Sequence, residues 1–115
     1  MPIRFLAPLS LGMTFASAAM ADAPRVATDI APVQSLVARV MQGAGAPDVL
    51  VRPGASPHGY AMRPSEAAAL EAADLVFWMG EGLTPWLEGA IDSLAGEAHV
   101  VALLGAAGSR VLPFR

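Results

Sequence analysis

The sequence predicts an α/β fold in which a parallel sheet is flanked by helices. Two observations carry that expectation. Four short strand-like runs alternate with three stretches whose apolar residues recur at helical spacing. The third strand run, Leu75-Val76-Phe77-Trp78-Met79, is apolar throughout, the pattern of a strand covered on both faces. Such alternation calls for crossover connections, which are right-handed, and so for parallel strands.

The elements follow in order. Val26-Ala27-Thr28-Asp29-Ile30 supplies the first strand. Val33, Leu36, Val37, Val40 and Met41 then fall at i, i+3, i+4, i+7 and i+8, one apolar helical face, and Gly43 can end that helix. Pro47-Asp48 lead into a short second strand, Val49-Leu50-Val51. The stretch from Arg52 to Tyr60 holds two prolines and two glycines and reads as a loop. Pro64-Ser65 suits the start of a second helix, since proline fits the first turn. That helix runs to about Ala72, with Ala67, Leu70 and Ala73 inward. Leu83, Trp86, Leu87, Ala90, Ile91 and Leu94 make the stripe of a third helix closed by Gly96. Val100 to Leu104 is the fourth strand. In open sheets of this kind ligands sit at the carboxyl ends of the strands, where the loop 52–63 must lie.

Ahead of the first strand, Met1-Pro2-Ile3-Arg4 carries one positive charge and Phe5 to Ala19 is uncharged and mostly apolar. Ala19-Met20-Ala21 then fits a small-residue cleavage site. This three-part order reads as an export signal over residues 1–21, cleaved near Ala21, with Ala18 or Ala19 as alternatives. A buried N-terminal helix is the competing reading. The apolar run falls short of the roughly 20 residues a membrane helix needs. Export leaves residues 22–115 as the mature α/β lobe, in the periplasm.

Ten acidic residues face seven basic ones, giving a net charge of −3 at pH 7, and every basic residue is an arginine. These arginines are scattered, so the basic stripe that neutralises phosphates is missing and nucleic acid is excluded as a partner. An apolar fraction of 55% is too high for a disordered chain. Cysteine is absent. The fold must therefore rest on its apolar core, and no lipid anchor is expected, because anchoring needs a cysteine just after the signal.

His58 is the most informative polar residue. It stands between Pro57 and Gly59 in a loop whose prolines restrict the backbone and in which Gly59 frees it to turn. Such a loop can present one imidazole at the mouth of a sheet, and neutral imidazole is a good zinc ligand. A solvated or hydrogen-bonded loop histidine is the plainer alternative. His99, at the start of the fourth strand, reads as a solvent-edge residue. Gly80-Glu81-Gly82 follows a strand and opens a helix, but the third glycine of a dinucleotide fingerprint is replaced by Pro85, so a tight turn explains it. The chain has no phosphate loop, nucleophile elbow or nucleophile–base pair, so enzyme readings lack their machinery. Glu66, Glu71, Glu88 and Asp92 read as solvated helix residues, and Met41, Met62 and Met79 as packing.

Together these segments resemble the zinc and manganese substrate-binding proteins of ABC importers, over Val26 to about Leu104. Asp29-Ile30-Ala31-Pro32, the loop Val51-Arg52-Pro53-Gly54-Ala55-Ser56-Pro57-His58-Gly59-Tyr60 and Arg63-Pro64-Ser65 carry the resemblance. Ala73-Asp74-Leu75-Val76-Phe77, Gly80 and Trp86-Leu87 extend it. The resemblance implies a two-lobed metal-binding protein of which residues 22–115 form the N-terminal lobe, a truncated chain without its second lobe. It implies His58 as the first metal ligand, Zn2+ as cargo with Mn2+ as the second choice, and an ABC transporter permease as partner. It further implies a monomer at full length and no catalysis. The other ligands would come from the second lobe. Two departures matter: Gly59 and Pro57 stand where relatives place acidic residues, so this loop offers the metal no carboxylate. Thr84 stands where glutamate is frequent, at a structural position. The rival readings are a truncated fragment that binds nothing and, behind it, an α/β enzyme or nucleotide-binding fragment.

Overall fold

A computed structural model describes residues 22–113, and the export signal read at residues 1–21 lies outside them. Four strands, β1 (Val26–Thr28), β2 (Asp48–Val49), β3 (Leu75–Trp78) and β4 (His99–Ala102), form one sheet in the order β2-β1-β3-β4. All pairings are parallel, with Thr28 between Val49 and Phe77. The helices α1 (Ala31–Val40), α2 (Pro64–Glu71) and α3 (Leu87–Leu94) connect them. The expected α/β architecture is present.

Strand order decides where the helices go. The step from β1 to β2 runs one way along the sheet, and the steps to β3 and then β4 run the other way. Right-handed crossovers therefore place α1 on one face and α2 and α3 on the opposite one. Ala27, Val76 and Trp78 join Leu50, Leu70, Ala73, Leu87, Ile91 and Ala95 in one buried cluster. Val26, Leu75 and Phe77, alternate along their strands, line the α1 face instead.

That second face is only partly covered. α1 packs over β1 and β2. Beside it opens an apolar groove of about 480 Å³, lined by Val26, Val33, Val37, Leu75, Phe77 and Leu103 among others. The uninterrupted run in the third strand predicts burial on both faces. Instead Val76 and Trp78 are buried while Leu75 and Phe77 are half-buried. Likewise Leu36 and Val40, on the expected inward stripe of the first helix, are 64% and 88% exposed. One helix cannot cover four strands, and among the described residues no second α-helix crosses on that side.

Element boundaries shift for local reasons. β1 stops at Thr28 because the chain bends at Asp29, whose side chain accepts the N–H of Ile30 at 2.8 Å. Leu50 and Val51 continue past β2 with N–H bonds to the carbonyls of Thr28 and Asp29, both 2.8 Å. α3 begins at Leu87 rather than Leu83, since the N–H groups of Leu83 and Thr84 both turn back to the Gly80 carbonyl. Gly80 makes that turn at φ +121°, a conformation L side chains rarely adopt. Nothing lies within 4 Å of where its Cβ would be, so the requirement is conformational rather than spatial.

Candidate functional site

Three segments meet at the carboxyl edge of the sheet: Asp29 onward after β1, the loop 52–63 after β2, and the turn 79–86 after β3. The edge spans the point between β1 and β3 where strand order reverses, the usual ligand position in open α/β sheets. His58 lies on the loop after β2 and is exposed.

The loop around it is held by side chains. It turns first at Gly54, where φ is +84° and the Ala55 N–H reaches the Arg52 carbonyl at 3.0 Å. Gly59, expected to supply the backbone freedom, does not take a positive φ; Gly54 has that role. Arg52 Nε donates to the Tyr60 hydroxyl at 2.9 Å, and that hydroxyl donates to Glu66 Oε1 at 2.8 Å. Arg52 Nε also pairs with Glu66 Oε1 at 3.7 Å. From the other side, Trp86 Nε1 donates to the Pro57 carbonyl at 2.7 Å. The Tyr60 and Trp86 rings are tilted against each other with centroids 5.8 Å apart.

Glu66 is therefore a correction to the sequence reading, which took it as solvated. It is buried, and its Oε2 accepts the Arg63 N–H at 2.7 Å, closing the first turn of α2 behind Pro64. Burial pushes this carboxyl up, but the Arg63 N–H, the Tyr60 hydroxyl and the Arg52 charge outweigh it and hold it below its ordinary value. A signal existed: a glutamate three residues after the residue preceding a helix is half of a capping box.

Asp29 is the polar residue that sequence reasoning passed over. It is fully buried at the end of β1. Oδ1 accepts from Ile30 N at 2.8 Å and Oδ2 from Met79 N at 2.8 Å, so the carboxylate ties β1 to the end of β3. Burial raises its pKa, while the Met79 and Ile30 N–H groups and the Thr84 side chain pull it back in part. Thr84 is itself fully buried, in keeping with a structural position.

The remaining sites are as plain as the sequence suggests. His99 begins β4 at the opposite, amino edge of the sheet, exposed, with its N–H on the Asp74 carbonyl at 2.9 Å. Glu71, Glu88 and Asp92 are exposed. Among the described residues, no three His, Cys, Asp or Glu side chains are grouped to hold a metal ion. Among the described residues the edge offers one exposed imidazole, His58, and no complete coordination sphere, which for zinc takes four ligands or three plus water.

The family model for the periplasmic zinc-uptake complex component A, ZnuA, matches residues 26–111. The chain belongs to this family. It is 45% identical over 103 residues to a high-affinity zinc uptake system protein ZnuA of Paracoccus denitrificans, covering 90% of this chain and 31% of that one. With the protein of the same description from Brucella abortus it shares 39% identity over 111 residues, 96% of this chain and 33% of the relative. The chain thus spans about a third of the length of the curated relatives it matches. Among solved structures, the periplasmic zinc-binding protein TroA of Treponema pallidum superposes with a TM-score of 0.63 at 30% identity, over 70% of this chain and 29% of TroA. A zinc-bound ZnuA deletion mutant gives 0.64 at 26% identity, over 75% of this chain and 34% of the mutant. The parallel sheet read from the sequence is thus the ZnuA-type sheet, and the loop carrying His58 lies within the matched segment.

Proposed function

We propose that this chain is the N-terminal lobe of an exported protein that captures a divalent transition metal and delivers it to an ABC importer permease. Zinc is the favoured cargo and manganese the second. The observation that carries the reading is the family match over residues 26–111, read with an exposed histidine, His58, on a tethered loop at the carboxyl edge of the sheet. His58 is the ligand this lobe supplies. The remaining ligands belong to a second lobe, in a protein about three times as long, judging by the relatives. The complete sphere decides between zinc and manganese, because selectivity depends on ligand set and geometry. Residues 1–21 act as a signal removed near Ala21. The protein binds and releases its cargo and does no chemistry on it.

Calorimetric titration tests the ligand assignment. In the protein carrying both lobes, His58→Ala lowers zinc affinity at least about tenfold, and His99→Ala leaves it unchanged. Equal losses from the two changes would place the metal elsewhere. The 115-residue chain alone binds zinc weakly, and sub-micromolar one-to-one binding by its monomer would defeat the two-lobe reading.

A further inference from the structure

We propose that Tyr60 and Trp86 are positioning residues that fix His58 before the metal arrives; this rests on His58 being a ligand. Trp86 Nε1 donates to the carbonyl of Pro57, which belongs to the peptide unit that leads directly into His58. The proline ring already restricts φ at Pro57. Holding its carbonyl sets the orientation of that peptide plane, so the direction in which the chain enters His58 is determined. On the far side, Tyr60 anchors the chain two residues later through its hydroxyl, which bridges Arg52 and Glu66.

The backbone at His58 is thus bracketed by two tethers from different parts of the fold. One comes from the start of α3 through Trp86. The other comes from α2 through Glu66 and from the exit of β2 through Arg52. Contact between the two rings, 5.8 Å apart, joins the tethers into one unit. Without them, Gly59 and the exposure of His58 would leave the ligand free to sample many directions. A ligand already held in its bound direction loses less freedom on capture and binds more tightly.

Two conservative variants test this in the protein carrying both lobes. Trp86→Phe keeps a ring against Tyr60 and deletes the donor; Tyr60→Phe keeps the ring and deletes the hydroxyl. Each is expected to lower zinc affinity about tenfold, the low end for groups that orient metal ligands. In a His58→Ala background neither variant adds a loss, because the imidazole it orients is gone. A second readout needs no metal. In 13C-histidine-labelled protein, the ring signal that disappears in His58→Ala moves toward the free-histidine position in either variant. If Trp86→Phe does not fold, Tyr60→Phe gives the same readouts. Unchanged affinity, or losses as large without His58 as with it, overturn the positioning role while leaving His58 a ligand. No loss from His58→Ala itself overturns both.

Discussion

Both faces of the sheet are built from apolar residues, and they meet different fates. On one, Leu70 of α2, Val76 of β3 and Leu87 of α3 are completely buried against one another's elements. On the other, Leu36 and Val40 of α1 stand exposed beside an open groove. Periodicity identifies which residues share a face and says nothing about whether anything covers it. Coverage follows from topology: after β2 the chain reverses direction, and both later helices cross on the same side.

The largest effects should separate these faces. Leu70→Ala or Leu87→Ala removes a fully buried side chain from the closed cluster and is expected to cost about 2–5 kcal/mol. Leu36→Ala, at 64% exposure, should stay within about 0.5 kcal/mol. Urea denaturation of the three variants measures the difference. Comparable losses would mean that the exposed stripe of α1 is buried in solution and that the faces are alike.

Asp29 sits where the two faces meet the carboxyl edge. Asp29→Ala leaves the N–H groups of Ile30 and Met79 without their partner, at about 1–3 kcal/mol for a buried group left unsatisfied. Its pH dependence has a definite sign. Because burial raises this carboxyl, the folded state holds the proton more tightly than the unfolded chain. Wild-type stability relative to Asp29→Asn should therefore fall as pH rises from the ordinary aspartate value through the raised one. A flat difference across that window would mean the carboxylate is better solvated than its burial implies.

Glu66 gives the opposite slope and a smaller effect. Its carboxyl is held below its ordinary value, so its contribution is present above the unfolded pKa and is lost as pH falls through the folded one. Glu66→Gln should cost about 0.5–1.5 kcal/mol at neutral pH, the range for one hydrogen bond, with the difference shrinking in acid. A constant difference from neutral pH down into acid would show that the loss of a hydrogen-bond acceptor, rather than of charge, carries the role of Glu66.

These contrasts show what the sequence made legible. Alternating periods were enough for the parallel sheet, because a helical stripe such as Leu87, Ile91 and Leu94 is set by local spacing. Proline and glycine around His58 were enough to place it in a loop at the carboxyl edge. Asp29 and Glu66 were harder, since their burial depends on partners 50 residues away at Met79 and six residues away at Tyr60. The link from Trp86 to Pro57 spans 29 residues and leaves no spacing to read. Trp86 fits the helical stripe in sequence, yet in the fold it precedes α3 and its indole N–H leaves the core for the loop.

The smallest expected change in stability belongs to the open face, and it carries the most direct test of the comparison. Leu36→Gln with Val40→Gln alters two exposed positions on α1 without changing net charge, so folding stability should move by less than about 0.5 kcal/mol. The groove beside them is apolar, and contiguous apolar surface of that kind drives association in water. Residues 22–115 should therefore self-associate as concentration rises, by sedimentation equilibrium, and the double variant should shift that equilibrium toward monomer. Dye fluorescence from the groove should fall in parallel. The buried cluster under α2 and α3 is untouched by these changes, so a loss of stability would tie α1's outer face to the core. Unaltered association with unaltered stability would mean that the contact between copies lies elsewhere, and that the groove is closed in solution by the chain itself.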